Sequence, residues 1–164
     1  MKKITVLLIA LSIVSCTPTT DLLGDFSRAD LENGGHNRLF TKNYEAHLVN
    51  KNIVSQIDSL FNDIEVTIYM GTWCEDSRRE VPAFFKILDS LDANDHVDRM
   101  IGVSEDKVSP DGSAKKTGIT NVPTFVFSKN GEEINRIVEF PIISLEQDLL
   151  DILQGNGYKH AYDF

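Results

Sequence analysis

The alternation of hydrophobic and polar positions predicts helices and strands along most of the chain. In three segments apolar residues recur every three or four positions, which is the spacing of a helix with one buried face. The first segment follows Asn50, the second follows Cys74 and extends to about Leu91, and the third follows Ser144; Asn50 and Ser144 can act as caps. The inward residues are Ile53, Ile57, Leu60 and Phe61; Val81, Phe84, Phe85, Leu88 and Leu91; and Leu145, Leu149, Ile152 and Leu153, the last set with its acids expected to face outward.

Strands are predicted where β-branched and aromatic residues cluster, at residues 65–70, 97–103, 123–128 and 132–140. The last two strands flank Lys129-Asn130-Gly131, a typical hairpin turn. We also expect a short strand at residues 38–41 and a short helix at residues 113–117. Helices that alternate with strands build a parallel sheet, and the final hairpin adds antiparallel strands to it.

The first residues predict export rather than a folded element. Lys2 and Lys3 precede an apolar run at residues 4–14, which is too short to span a bilayer but suits a signal peptide. The run ends at Leu11-Ser12-Ile13-Val14-Ser15-Cys16, which resembles the lipobox of bacterial lipoproteins. The resemblance implies that Cys16 is lipidated and becomes the first mature residue. The alternative is an ordinary cleaved signal with an incidental cysteine.

The chain is long enough for one folded domain behind this signal. We expect a signal peptide at residues 1–15 and the lipidated Cys16 with a flexible tether at residues 16–36. The tether is suggested by its Thr-Pro-Thr-Thr start, its scattered charge and Asn33-Gly34-Gly35. The domain is expected at residues 37–155, followed by a C-terminal tail at residues 156–164.

The acidic charge restricts the partners of the chain. The net charge is −9, and removal of Lys2 and Lys3 with the signal lowers it to −11. This balance argues against nucleic acid as a partner and against electrostatic adhesion to anionic lipid, so the acyl chains are expected to provide the membrane anchor. Metal binding is not expected either, because the four histidines lack paired ligand spacing (His36, His47, His96 and His160). No cofactor is predicted.

Cys74 is the candidate reactive residue. It lies beside Trp73, where a predicted strand passes into a predicted helix, and the first turn of a helix favours thiolate over thiol. With Cys16 lipidated, Cys74 has no partner for an internal disulfide. Ser77 stands where a second cysteine would complete a Cys-x-x-Cys pair.

Side chains around Cys74 are expected to influence its sulfur in opposite directions. We expect the Ser77 hydroxyl to donate a hydrogen bond to the sulfur and so to favour the thiolate. Glu75, Asp76 and Glu139 would add opposing negative charge, which Arg78 could partly offset. The simpler expectation for Arg78 and its neighbour Arg79 is a solvated helix face.

Several motifs in the correct order resemble the thioredoxin superfamily over residues 53–153. They are Trp73-Cys74-x-x-Ser77, the helix proline Pro82, the segment Gly118-Ile119-Thr120-Asn121-Val122-Pro123-Thr124, and the turn Ser128-Lys129-Asn130-Gly131-Glu132. The resemblance implies an α/β fold of the thioredoxin-like three-layer type, in which helices flank a central mixed β-sheet. It also implies a cis Val122–Pro123 bond packed against Cys74, with the Val122 backbone pairing to substrate.

The chain departs from the family at three positions that affect function. Ser77 replaces the resolving cysteine, Ile68 stands where a buried carboxylate is frequent, and Glu139 falls where a glycine is common. A serine cannot form a disulfide, so the chain should not cycle alone as a dithiol oxidoreductase.

Two functional hypotheses follow. In the first, Cys74 exchanges disulfides as a single thiol, with Trp73 and Ser77 beside it, Val122 and Pro123 binding substrate, and an outside thiol completing the reaction. Its partners would be thiol- or disulfide-containing polypeptides and a small thiol. In the second, the domain is a non-catalytic polypeptide-binding or chaperone-like module. In both, the protein is anchored outside the cytoplasm, with the outer membrane or periplasmic side favoured because Thr17 follows Cys16 where an inner-membrane retention signal carries Asp.

Overall fold

The computed structural model describes residues 19–163 of the 164 in the chain. The predicted signal peptide and Cys16 lie outside the described residues. In chain order the elements are β1 (Gly24–Phe26), α1 (Arg28–Asn33), α2 (Asn37–Ala46), α3 (Lys51–Ile57), β2 (Ile64–Met70), α4 (Glu75–Leu91), β3 (Val97–Gly102), α5 (Ser113–Lys116), β4 (Thr124–Lys129), β5 (Glu132–Val138) and α6 (Leu145–Gln154).

The strands form one mixed sheet in the order β1-β3-β2-β4-β5. β2 and β3 run parallel, whereas β1, β4 and β5 each pair antiparallel with their neighbours. As a result, β2 and β3 end at the same edge where β1 and β4 begin and β5 ends. We call this the upper edge; its strand residues are Gly24, Met70, Gly102, Thr124 and Val138.

Side chains alternate between the two faces of the sheet, which is why the fold has three layers. On one face, Ile68 and Phe125 join the main core beneath α4. On the other face, Tyr69, Ile101 and Val126 form a second cluster with Ala114 of α5 and Ile119. The expectation of an α/β fold with helices on both sides of a central mixed sheet is therefore confirmed.

Helix α4 is the largest element of the main core. Val81, Phe84 and Leu88 of its predicted stripe are fully buried. Burying a side chain of this size contributes about 1.5–3 kcal/mol, so the stripe fixes α4 against the sheet. Pro82 lies inside the helix, as its position in the sequence indicates.

The predicted caps and turn are also confirmed. The Asn50 side chain accepts a hydrogen bond from the Ile53 N–H at the start of α3. Ser144 does the same for Gln147 at the start of α6. Asn130 and Gly131 have positive φ values of 54° and 77°, which the tight β4–β5 hairpin requires.

The prediction of a strand at residues 38–41 is wrong, because these residues belong to helix α2. Phe40 is buried in the main core, and Tyr44, one turn later, packs against it at 6.0 Å between ring centroids. Few other residues of this helix are apolar, so the sequence carries a weak helical pattern.

The prediction of a flexible tether over residues 16–36 is wrong for residues 24–33, which form a strand and a helix. Residues 24–26 form β1, which pairs with β3, and α1 places Leu31 in the core. The Asp30 carboxylate accepts hydrogen bonds from the N–H and hydroxyl of Ser27, both at 2.7 Å, as part of a capping box at the start of α1. The folded part therefore begins well before the predicted boundary at residue 37.

One prediction about the C-terminal part is also wrong. Glu146 and Asp148 of α6 do not face outward but are 2% and 1% exposed. The predicted C-terminal tail, which is described to residue 163, is hydrogen-bonded to the domain. The Tyr158 hydroxyl donates to Asp148 at 2.8 Å, and the Tyr158 carbonyl accepts from Asn135 at 3.0 Å.

Candidate active site

Cys74 lies at the upper edge, directly before the first turn of α4. It is the N-terminal capping residue of this 17-residue helix and has an extended backbone, with φ −77° and ψ 129°. The side chain is half-buried against the second cluster. Its thiol donates a hydrogen bond to the Val122 carbonyl at 3.2 Å. The sulfur therefore lies at the N-terminal end of α4, beside the Val122 carbonyl.

Trp73 is held across the loop that carries Cys74. Its indole N–H donates to the Val103 carbonyl at 2.9 Å, and its ring covers Gly71. A β-carbon on Gly71 would lie 2.4 Å from that ring, so a glycine is required there. The Lys107 ammonium lies 5.6 Å from the ring centroid, which places one cation beside this face of the site.

The predicted cis bond between Val122 and Pro123 is confirmed. It precedes β4 and directs the Val122 carbonyl to Cys74. The Pro123 carbonyl accepts from the Glu139 N–H at 2.7 Å, which ties this turn to the end of β5. Glu139 has a φ of 67°, a conformation that favours glycine, in keeping with the glycine common there in the resembled family.

The predicted hydrogen bond from the Ser77 hydroxyl to the Cys74 sulfur is not found in the described part of the chain; Ser77 bonds elsewhere. Its side chain is completely buried, and its oxygen accepts from the Gly71 N–H at 3.2 Å. No hydrogen bond joins Ser77 to Cys74 within residues 19–163. The hydroxyl faces the backbone of the loop because Gly71, six residues earlier, lies against the first turn of α4.

The expectation that Arg78 lies on a solvated helix face is wrong. Its guanidinium donates to the Cys74 carbonyl at 3.4 Å and also to the Trp73 carbonyl. Arg78 therefore bridges the loop to the first turn of α4. Its position four residues after Cys74 is the only signal of this in the sequence. The neighbouring Arg79 pairs with Asp76 and Glu80 instead.

The segment before β1 is bonded to the same loop, which the sequence did not predict. Thr72 is buried; its hydroxyl accepts from the Leu22 N–H at 3.1 Å and donates to Asp21 at 2.9 Å. Gly102 leaves room for this segment, since a β-carbon there would lie 2.1 Å from the Leu22 carbonyl oxygen. Fifty residues separate the bonded groups, so local sequence carries no sign of the contact.

The connection from β5 to α6, residues 139–144, forms another side of the upper edge. Asp148 accepts from the N–H groups of Ile142 and Ile143 at 2.6 and 3.0 Å, and so fixes this connection. The side chains of Phe140, Ile142 and Ile143 remain exposed, the last at 72%. Tyr162 in the tail donates to the Glu139 carboxylate and lies beside Phe140.

Four of the predicted site residues are therefore brought together: Trp73, Cys74, Val122 and Pro123. Ser77 lies behind the loop, and Cys16 is outside the described residues. No set of three or more His, Cys, Asp or Glu side chains in residues 19–163 is placed to hold a metal ion. In the same residues, no helix is both long and apolar enough to cross a membrane.

The sheet order, the cysteine before α4 and the cis proline beside it define a thioredoxin-like fold. One similar solved structure is the crystal structure of mitochondrial thioredoxin 3 from Saccharomyces cerevisiae in its oxidized form. It is 29% identical over 58% of this chain and 86% of that chain, with a TM-score of 0.36. No protein-family model and no curated protein matches the chain.

Proposed function

We propose that this protein carries out thiol-disulfide exchange through Cys74 alone, outside the cytoplasm, on thiol- or disulfide-containing polypeptides. The observation that carries the proposal is the placement of the Cys74 sulfur. It lies at the start of a long helix, half-buried, within hydrogen-bonding distance of the carbonyl before a cis proline. A structural cysteine has no need of this combination.

In the proposed reaction, the Cys74 thiol first gives its proton to solvent water, and the Val122 carbonyl thereby loses its hydrogen-bond donor. That carbonyl can then accept a backbone N–H from an extended substrate, which aligns a substrate disulfide with the sulfur. The thiolate attacks one sulfur of that disulfide, so that a mixed disulfide forms and the other substrate sulfur leaves as a thiolate.

An external thiol completes the reaction. Ser77 cannot do so, because its oxygen forms no disulfide and is turned towards Gly71. If a second substrate thiolate attacks the substrate sulfur of the mixed disulfide, a rearranged disulfide forms, Cys74 returns as thiolate, and no net oxidation occurs. If a small thiol attacks that sulfur instead, a mixed disulfide of substrate and small thiol leaves, and a second small thiol is needed for net reduction.

A model peptide with one disulfide tests this chemistry. We expect mass spectrometry to find the peptide joined to Cys74, and added glutathione to release it and allow multiple turnovers. The Cys74→Ser variant is the matched control and should form no adduct. A wild-type protein that forms no adduct, although its Cys74 can be alkylated, would contradict catalytic exchange.

The proposed anchor is a lipid on Cys16. Its support is the apolar run that stops at this cysteine, together with a described fold that needs no disulfide. The protein made in a bacterium with lipoprotein processing should carry acyl chains and sediment with membranes, whereas Cys16→Ser should not. Outer-membrane or periplasmic-side placement is part of the same proposal, and separation of the membranes would test it.

A second candidate function is binding of polypeptides without turnover. Exposed apolar side chains at residues 140, 142 and 143 favour it, because they lie on the rigid connection fixed by Asp148. If the protein only binds polypeptides, Cys74→Ser should bind unfolded polypeptides as tightly as the wild type does, and Ile143→Ser should bind them more weakly. Titration by fluorescence anisotropy would separate the two functions.

A further inference from the structure

The described chain enters the domain at the upper edge, next to the cysteine. β1 runs antiparallel to β3, and its first residue, Gly24, pairs with the last residue of β3, Gly102. Gly102 also pairs with Met70, which is four residues before Cys74. The residues that precede β1 therefore approach the side of the sheet that carries the candidate site.

This entry point is fixed by direct contacts. Leu22 and Asp21 bond to Thr72, two residues before Cys74, at 3.1 and 2.9 Å. Gly102 provides the space in which the Leu22 carbonyl lies. A segment fixed in this way cannot move to another side of the domain without breaking these hydrogen bonds to Thr72.

The chain between Cys16 and this entry point is short. Leu22 is the sixth residue after Cys16, so the chain between them reaches at most about 22 Å when fully extended. Thr72 and Cys74 are two residues apart, which adds at most about 8 Å. If the chain entered at the opposite edge of the sheet, Cys74 would lie about 20 Å farther from Cys16, which is the length of a strand such as β2.

Most of the exposed large apolar side chains also lie near the upper edge. Eight are exposed in residues 19–163, and six of them lie on segments that adjoin the upper edge. These are Leu23 before β1, Val108 in the connection after β3, Phe140, Ile142 and Ile143 after β5, and Tyr162, which lies against Phe140. An edge with this composition suits apolar polypeptide segments.

We infer that the upper edge faces the bilayer that holds the Cys16 lipid, and that the substrates of Cys74 are disulfides in membrane-bound polypeptides, close to the membrane surface. This inference rests on the proposed function, since it takes both the lipid and the exchange chemistry from it. The short connection then keeps Cys74 within about 35 Å of the lipid-bearing residue. A soluble disulfide far from the membrane gains nothing from this arrangement.

Fluorescence from Trp73, the one tryptophan in the chain, can report this placement. The full-length lipidated protein is placed in phosphatidylcholine vesicles that contain a dansyl-labelled phosphatidylethanolamine. Energy transfer from Trp73 to dansyl falls off within a few nanometres. We expect strong transfer for the wild type, and only background transfer for Cys16→Ser added to the same vesicles.

A longer connection is the decisive variant. Insertion of 20 Gly/Ser residues between Pro18 and Thr19 adds a root-mean-square length of about 25 Å and leaves the described contacts in place. We expect it to lower transfer severalfold, while Trp73 emission in acceptor-free vesicles stays unchanged. Equal transfer from the wild type and the insertion variant would overturn the proposed orientation.

Reaction rates test the substrate class. A disulfide loop is attached a few residues above a membrane-spanning peptide in the same vesicles, and the same loop is also supplied as a soluble peptide. We expect the wild type to form mixed disulfides about tenfold faster with the membrane-bound loop, and the insertion variant to lose most of this preference.

The outcomes separate the two proposals. Mixed disulfides that form at equal rates with both loops would overturn the membrane inference and leave the exchange function in place. No mixed disulfide with either loop would overturn the exchange function, and with it the substrate class. A protein without acyl chains by mass spectrometry would overturn the anchor and therefore the orientation.

Discussion

At the scale of single residues, the candidate site depends on small polar contacts around one sulfur. Cys74 donates to Val122, Ser77 accepts from Gly71, and Arg78 bridges two carbonyls of the loop. The cysteine and the cis proline could be predicted because their motifs are local. The orientations of Ser77 and Arg78 could not, because each depends on how the loop folds back over the first turn of α4.

Restoring a second thiol tests whether the site remains competent. We expect Ser77→Cys to gain reductase turnover with a dithiol reductant, because the new thiol can attack the mixed disulfide at Cys74. Reduction of a model peptide disulfide gives the rate, and Ser90→Cys, at an exposed position of the same helix, is the control. A Ser77→Cys protein that folds but shows no reductase activity would argue against catalytic exchange through Cys74.

Thr72 provides a test of the contact between the site and the entering chain. Thr72→Val keeps the shape of the side chain but removes both bonds to residues 21 and 22. We expect the free energy of unfolding to fall by about 1–2 kcal/mol in urea titrations. Thr67→Val is the matched control, since no side-chain hydrogen bond of Thr67 is found in the described part. Equal stability of the two variants would show that the contact is weak.

At the scale of elements, prediction succeeded where one element carried enough apolar residues to show its own period. Helices α3, α4 and α6 and strands β2 to β5 were found in this way. β1 has three residues, and its partner β3 lies more than 70 residues later in the chain. α1 and α2 contribute few core residues each. α2 packs against α4 and α1 packs against α2, and this packing stabilises both helices more than their own pattern does.

Buried acids on α6 were missed for a related reason: their partners are distant in sequence. Glu146 accepts from His47 at 3.0 Å and from the Asn50 N–H at 3.1 Å. Burial alone would raise its pKa, but these hydrogen bonds outweigh burial and lower the pKa from 4.5 to about 2. Glu146 therefore joins the α2–α3 connection to α6.

The pH dependence of stability follows from this shift. Because the folded-state pKa is below the ordinary value, the ionised form of Glu146 stabilises the fold above about pH 4.5, and this contribution is lost as the pH falls towards 2. We expect Glu146→Gln to lower the free energy of unfolding by about 1–3 kcal/mol at pH 7. The difference from the wild type should shrink at pH 3.

Urea unfolding at the two pH values measures this difference. The exposed Glu132→Gln on β5 serves as the control and should show little change at either pH. A Glu146→Gln deficit that is as large at pH 3 as at pH 7 would contradict the assigned role of the carboxylate.

Asp148 should control the order of the connection between β5 and α6. It accepts from two N–H groups of that connection and from the Tyr158 hydroxyl, and burial and the bond to Asp148 raise the Tyr158 pKa. We expect Asp148→Asn to cost about 1–3 kcal/mol and to speed hydrogen exchange at the Ile142 and Ile143 amides. The control is Asp95→Asn, at an exposed position. Unchanged hydrogen exchange at the Ile142 and Ile143 amides in Asp148→Asn would contradict this role.

At the scale of the whole molecule, the sheet topology places several features at one edge. The cysteine, the cis proline, the apolar connection after β5 and the entry of the chain all lie there, although they are far apart in sequence. A sequence could indicate each of the first two separately. Only the pairing of β1 with β3 shows that the residues after the predicted lipid approach the same edge as Cys74.

The most direct test of exchange through Cys74 is to trap covalent complexes in the compartment where the protein acts. Cells that express the full-length protein are treated rapidly with a thiol-blocking reagent, and their membranes are run on a non-reducing gel. Exchange through Cys74 predicts complexes that contain Cys74, disappear on reduction, and are absent from Cys74→Ala. Finding Cys74 entirely free, with the wild type and Cys74→Ala giving the same pattern, would contradict exchange through this thiol.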